Sequence, residues 1–120
     1  MSTEFRVLVC GGREYADKDR VFKILDTIVT AIPNRAFTII HGNAKGADSL
    51  ADEWAKDRKI NVDAYPADWD TYGNRAGFIR NKQMLDEGKP NVVIAFPGGI
   101  GTRMMVGLAK RHNIPTKEYF

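Results

Sequence analysis

The chain has 120 residues, of which 43% are hydrophobic and 28% charged, with a net charge of +3. That is enough for one domain, 1-120, with a real core, and too apolar for a disordered tail. The mild basic excess falls far short of the dense Lys/Arg stripe of a dedicated nucleic-acid binder, so nucleic acid is a disfavoured partner.

No apolar run is long enough to span a bilayer, so no membrane partner is expected, and the N-terminus MSTEFRVLVCGGRE lacks the ordered basic, apolar and cleavage regions of a leader. The single cysteine, Cys10, cannot form an internal disulfide. These features predict a cytoplasmic protein in which Cys10 is a buried thiol.

Phe5 to Cys10 (FRVLVC) reads as the first strand and ends in Gly11-Gly12-Arg13. Val21, Ile24, Leu25, Ile28, Val29 and Ile32 then recur as one helical stripe, capped by Asp17 or Asp19 and stopped by Pro33-Asn34. Phe37 to His41 (FTIIH) is a second buried strand, followed by the loop Gly42 to Gly46. Ala47, Leu50, Ala51, Trp54 and Ala55 form another one-faced helix. Residues 61–65 alternate polar and apolar, which predicts a short strand at the sheet edge. The stretch 66–77, PADWDTYGNRAG, reads as an irregular loop carrying Trp69, Tyr72 and Arg75, and long polar loops with aromatics usually have a task. A weaker helix over 78–87 is closed by Gly88 and Pro90.

The most telling stretch comes next. Val92 to Phe96 is a continuous apolar run, as expected of a strand buried on both faces, and it meets Pro97-Gly98-Gly99-Ile100-Gly101 before a helix for which Thr102 is the predicted N-cap. A helix start exposes unpaired N–H groups and a positive dipole end, and glycines let a ligand approach them. The loop therefore either holds a phosphate or only makes a tight turn. A last short strand is expected over 116–120.

Five strands alternating with four helices predict an α/β fold, a doubly wound parallel sheet in the order 3-2-1-4-5 with helices on both faces. Its first and fourth strands meet at the topological switch point, where ligands bind. Gly11-Gly12-Arg13 would face Pro97-Gly98-Gly99 there, with Gly42 to Gly46 beside them.

Several chemistries are excluded by spacing. GGREYADK lacks G-x-G-x-x-G, GNAKGAD has its Lys and Gly in the wrong order for G-x-x-x-x-G-K-[ST], and one cysteine with His41 and His112 assembles no zinc site, so no cofactor and no metal are expected. His41 reads as a strand-end histidine bonded to a neighbour, and His112 as a solvated helix end. Ser49 has no visible base. Asp48 reads as favouring a helix N-terminus, and Asp52 as solvated. Trp69 and Tyr72 either stack on a base or pack on the sheet edge.

FPGGIGT with its helix, HGNAKGAD, CGGREY and AGFIRNKQM, in that combination, resemble the SLOG superfamily. This Rossmann-like group includes lonely-guy phosphoribohydrolases and the DNA-processing protein A domain. The likeness covers essentially the whole chain and is closest to short single-domain members of bacteria and phages. It implies a site for a nucleotide or nucleotide-derived molecule with the glycine loop on its phosphate, and it implies a homodimer or higher homo-oligomer, for which an apolar patch near Met104 or Trp54 would serve.

Lonely-guy enzymes use an Arg before the fourth strand and a Glu in P-G-G-x-G-T-x-x-E. Arg80 occupies the first position, but Met105 occupies the second. Cleaving an N-glycosidic bond needs a carboxylate for its oxocarbenium-like transition state, which methionine cannot supply.

Binding is therefore preferred to cleavage, as sensor or sink. The first alternative is a phosphoribohydrolase using Asp48, Asp68 or Asp70, with Arg80 catalytic. The second is single-strand DNA binding. The expected ligand contacts are Pro97, Gly98, Gly99, Gly101 and Thr102 at phosphate, with Arg80, Arg13 and Lys45 as countercharges. Asn81 would orient oxygens, Trp69 or Tyr72 would cover a base, and Gly11, Gly12, Gly42, Gly46 and Asp48 come from the two neighbouring loops.

Overall fold

In the computed structural model, residues 4–120 are described; the first three residues of the stretch read above for a leader lie outside them. Strands β1 (Phe5–Cys10), β2 (Phe37–His41), β3 (Asn61–Ala64), β4 (Val92–Ala95) and β5 (Thr116–Glu118) form one parallel sheet in the order β3-β2-β1-β4-β5. Central β1 sets Leu8 opposite Ile40 on one side and Val93 on the other.

The pleat divides these strands between two cores, because successive side chains point to opposite faces. Val7, Val9, Ile39, Ile94 and Phe96 meet helices α1 (Lys18–Ala31) and α2 (Ala47–Asp57) through Val21, Leu25, Ala51 and Trp54. Leu8, Cys10, Ile40, Val93 and Ala95 meet Met84 and Leu85 of α4 (Ala76–Asp86), and Met105, Val106 and Ala109 of α5 (Ile100–Arg111). Both faces being covered, the inner strands are apolar without alternation, whereas β3 at the edge alternates. Among the described residues no helix is long and apolar enough to cross a membrane.

Asp17, not Asp19, caps α1, accepting the Arg20 N–H at 3.2 Å. Trp54 offers no surface patch for a second copy. It is 1% exposed, and its indole Nε1 donates to Asp26 Oδ1 at 2.8 Å while Arg58 Nε donates to the same oxygen at 3.0 Å. The Arg58 hydrogen bond, then that of Trp54, holds the Asp26 carboxyl below the usual aspartate range.

A folded-state value below the unfolded one means that this contribution is present above the ordinary aspartate range near about 4, and fades as pH falls through the lowered value. Asp26→Asn is accordingly expected to melt below the parent protein at pH 6, with the gap closing as the pH is lowered toward 2.5. Thermal unfolding followed by circular dichroism across that range checks it.

Two segments differ from the sequence expectation. Residues 66–77 are not one irregular loop, since α3 (Trp69–Tyr72) and a 3-10 turn (Gly73–Arg75) lead directly into α4, which starts at Ala76 rather than 78. Asp68 makes this possible by accepting the Thr71 N–H at 3.1 Å, and Gly73 turns the corner at φ 56°. Helix α5 begins at Ile100 with Gly99 in the cap position, so Thr102 is not the N-cap but a 6% exposed residue of the first turn.

Candidate functional site

The loops after β1, β2 and β4 meet at the carboxyl end of the sheet, backbone against backbone. The Gly12 N–H donates to the Pro97 carbonyl at 2.8 Å, and the Gly12 carbonyl accepts the Ala47 N–H at 3.2 Å. A Cβ on Gly12 would lie 2.9 Å from the Pro97 oxygen, and one on Gly11 would lie 2.6 Å from the Ala47 Cβ. At Gly46 it would strike the Gly12 carbonyl oxygen, and at Gly98 the Thr102 Oγ1. These four glycines are required by the way the loops close on one another.

Gly99 and Gly101 are different. A Cβ at either would meet nothing within 4 Å, and neither has a positive φ. Among the described residues no side chain caps α5, so the first-turn N–H groups beside these two glycines are open to a group from outside.

They open onto a cleft of about 400 Å³. Of the residues predicted from sequence, Gly11, Gly12, Arg13, Asp48, Trp69, Arg80, Asn81, Gly99, Gly101 and Thr102 line it. Pro97 and Gly98 instead face a second depression with Glu14 and Tyr15. Tyr72 faces a groove between α4 and α5 with Met104 and Leu108. Lys45 is exposed and Gly46 half-buried, away from the cleft lining. Gly42 is buried behind Arg80, where a Cβ would collide with the guanidinium.

Arg80 is held in place at two points. Its Nη1 donates to the Gly42 carbonyl and its Nε to Asn81 Oδ1 at 3.0 Å, while Asn81 Nδ2 donates to the Gly101 carbonyl at 3.3 Å. The guanidinium is thus tied to the β2 loop, and its neighbour to the start of α5. Among the described residues Nη2 has no acceptor. Burial lowers the Arg80 pKa, with the Asp48 charge opposing that shift and the Arg13 charge adding to it. Trp69 and Arg80 Nη2 both come close to Gly77, and the Arg13 guanidinium lies 5.5 Å from the centroid of the Trp69 ring, which is 47% exposed.

Asp48 is the one carboxylate among the residues lining the cleft. Burial pushes its pKa up, against the Ala44 and Gly42 N–H groups and the charge of Arg80. Asp52 is not solvated as its helix position implied. It bonds His41 Nε2 at 2.9 Å and Lys56 Nζ at 2.7 Å, and although burial pushes its carboxyl up, these two partners hold it below the usual range. Because His41 Nδ1 accepts the Asn43 N–H at 2.9 Å, the neutral ring carries its proton on Nε2, toward Asp52. His41 therefore braces the β2 loop from behind. Cys10 is buried on the cleft floor, and burial raises its thiol pKa.

Sequence reading missed Asn74, Gly77, Phe78 and Met84, which also line the cleft. With the helix starting at Ala76, positions 74, 77, 78 and 81 follow the i, i+3, i+4, i+7 rule and form one stripe. Starting the helix at 78 hid it. Met105, 1% exposed, closes the cleft from α5. Among the described residues no three His, Cys, Asp or Glu side chains converge as a metal-ligand set.

A parallel sheet in 3-2-1-4-5 order with a glycine-built cleft at its switch point defines a Rossmann-like protein. The chain belongs to the YspA, cpYpsA-related SLOG family, whose match covers residues 5–72. Its similarity to the Gene 61 protein of Mycobacterium phage D29, at 36% identity over 121 residues, spans 95% of each chain. No solved structure matches. Membership carries a general role in binding or processing nucleotide-related ligands.

Proposed function

We propose that the cleft binds a nucleotide or nucleotide-derived small molecule, with a phosphate at the start of α5 and the base against Trp69. The observation that carries this reading is the uncapped α5 start. Gly99 and Gly101 leave open space beside it, although the fold needs no glycine at either position. Arg13 and Arg80, whose Nη2 has no acceptor among the described residues, border the same cleft and supply countercharge. A volume of about 400 Å³ suits a small molecule rather than a strand of DNA.

Isothermal titration calorimetry against ribonucleoside 5′-monophosphates, ADP-ribose and cyclic nucleotides tests the reading, and a panel that releases no heat would overturn it. Trp69→Ala is expected to weaken binding roughly tenfold, the loss typical of one base–aromatic stack. In the parent protein, tryptophan emission should change on binding through Trp69, because Trp54 is sealed in the core. A Trp69→Phe variant that keeps the emission change would place the base elsewhere.

Hydrolysis is the second reading, favoured by one observation: Asp48 places a carboxylate in the cleft although Met105 stands where lonely-guy enzymes have Glu. Asp68 and Asp70 do not line the cleft. Release of free base from a nucleoside monophosphate, lost in Asp48→Asn, would select this reading over binding alone.

A further inference from the structure

Asp48 lies in the first turn of α2 and is only 6% exposed. One of its oxygens has a structural task, since Oδ2 accepts the Gly42 N–H at 3.0 Å and the Ala44 N–H at 3.3 Å. These two bonds hold the β2 loop in its turn. The other oxygen, Oδ1, accepts nothing among the described residues.

Neither is Oδ1 shut away from solvent. Among the described residues the Tyr15 hydroxyl alone is both sealed and without a partner. Oδ1 therefore opens onto the space that Asp48 lines, which is the cleft. An asparagine would hold the loop with its single oxygen, so tying the loop does not account for the second carboxylate oxygen.

A carboxylate oxygen turned into a cleft repels phosphate and accepts hydrogen bonds from hydroxyl or amino groups. On the nucleotide reading the anion belongs at the uncapped start of α5. Between that end and the rim at Trp69, a nucleotide carries its sugar, whose vicinal hydroxyls are donors. Resting on the nucleotide reading above, we propose that Asp48 Oδ1 accepts a hydrogen bond from the 2′,3′-diol of the ligand's ribose. Asp48 is then the residue that selects ribonucleotides.

Calorimetry with AMP, GMP, CMP and UMP beside their 2′-deoxy and 3′-deoxy forms tests this. For the ribonucleotides that bind, removal of at least one of the two hydroxyls is expected to weaken binding roughly 10- to 100-fold, as for loss of a hydrogen bond to a charged group. Asp48→Asn, which keeps the loop acceptor but turns an amide NH₂ into the cleft, should bring the ribose and deoxyribose forms to within about twofold of each other. A loop-holding role alone, which asparagine also fills, would instead leave the difference between the ribose and deoxyribose forms as it is in the parent protein.

Ribonucleotides that bind no better than both deoxy forms would overturn the role of Asp48 and leave the nucleotide site standing. Silence from every nucleotide tried would overturn both. Should Asp48→Asn fail to fold, the comparison of sugars on the parent protein decides the matter alone.

Discussion

Arg80→Ala is expected to bind nucleoside monophosphates roughly 100-fold more weakly than the parent protein, or worse. A charged hydrogen bond to a ligand contributes about 1.5–3 kcal/mol, and the free edge of this guanidinium can offer more than one. The side chain does not have to be ordered on binding, because Nη1 is already fixed on the Gly42 carbonyl and Nε on Asn81. Arg80→Lys restores the charge without the planar fork and should recover only a small part of the loss. Melting curves recorded on the same samples separate this from unfolding, since the variant also gives up the Gly42 and Asn81 hydrogen bonds and the charge facing Asp48. Binding by Arg80→Ala within threefold of the parent would remove Arg80 from the site.

Gly46→Val should destabilise the protein by roughly 3 kcal/mol or more, combining left-handed backbone strain in a β-branched residue with a collision against fixed backbone. Gly46 has φ 79°, and any Cβ there meets the Gly12 carbonyl oxygen and, at 2.7 Å, the Arg13 carbonyl. The Gly12 carbonyl cannot retreat, because it also accepts the Ala47 N–H. For a chain of this size the expected fall in Tm is roughly 10 °C or more. Gly99→Ala is the informative contrast. Its Cβ meets nothing and its φ is −99°, so stability should be nearly unchanged while binding weakens through obstruction of the α5 start. Differential scanning calorimetry of both variants, with and without nucleotide, reads out the two effects separately.

The fold was legible because its signals are repeated along the chain. Runs such as VVIAF and FTIIH are short, rich in β-branched residues and followed by glycine-bearing loops, which reads as strands covered on both faces, and Val21 to Val29 reads as a helical stripe. Right-handed crossovers predict helices on both faces, and the order 3-2-1-4-5 follows the usual pattern of such a sheet rather than any single residue.

The cleft lining was legible where it rests on backbone chemistry, as at Gly11, Gly12 and Gly99, and less so where a side chain's direction decides. Lys45 and Tyr72 have the right chemistry in the right segments, yet Lys45 is exposed off the cleft and Tyr72 turns to the α4–α5 groove. A two-residue error in placing a helix start was enough to hide the Asn74–Phe78 stripe, because helical direction changes by about 100° per residue. Asp52 was misread for a related reason: its partner, His41, comes from a neighbouring strand and leaves no local pattern.

The division of the sheet into two cores bears on how the chain is made. When the first 72 residues have been synthesised, β1 and β2 can pair, and α1 and α2 can cover one side. Leu8, Cys10 and Ile40 on the other side still await α4 and α5, and the edge of β1 still awaits β4. A nascent chain paused there presents a greasy surface beside an open row of peptide groups, the combination that invites clumping. The protein is thus most vulnerable midway through translation, and its second half acts as the cover that ends that exposure.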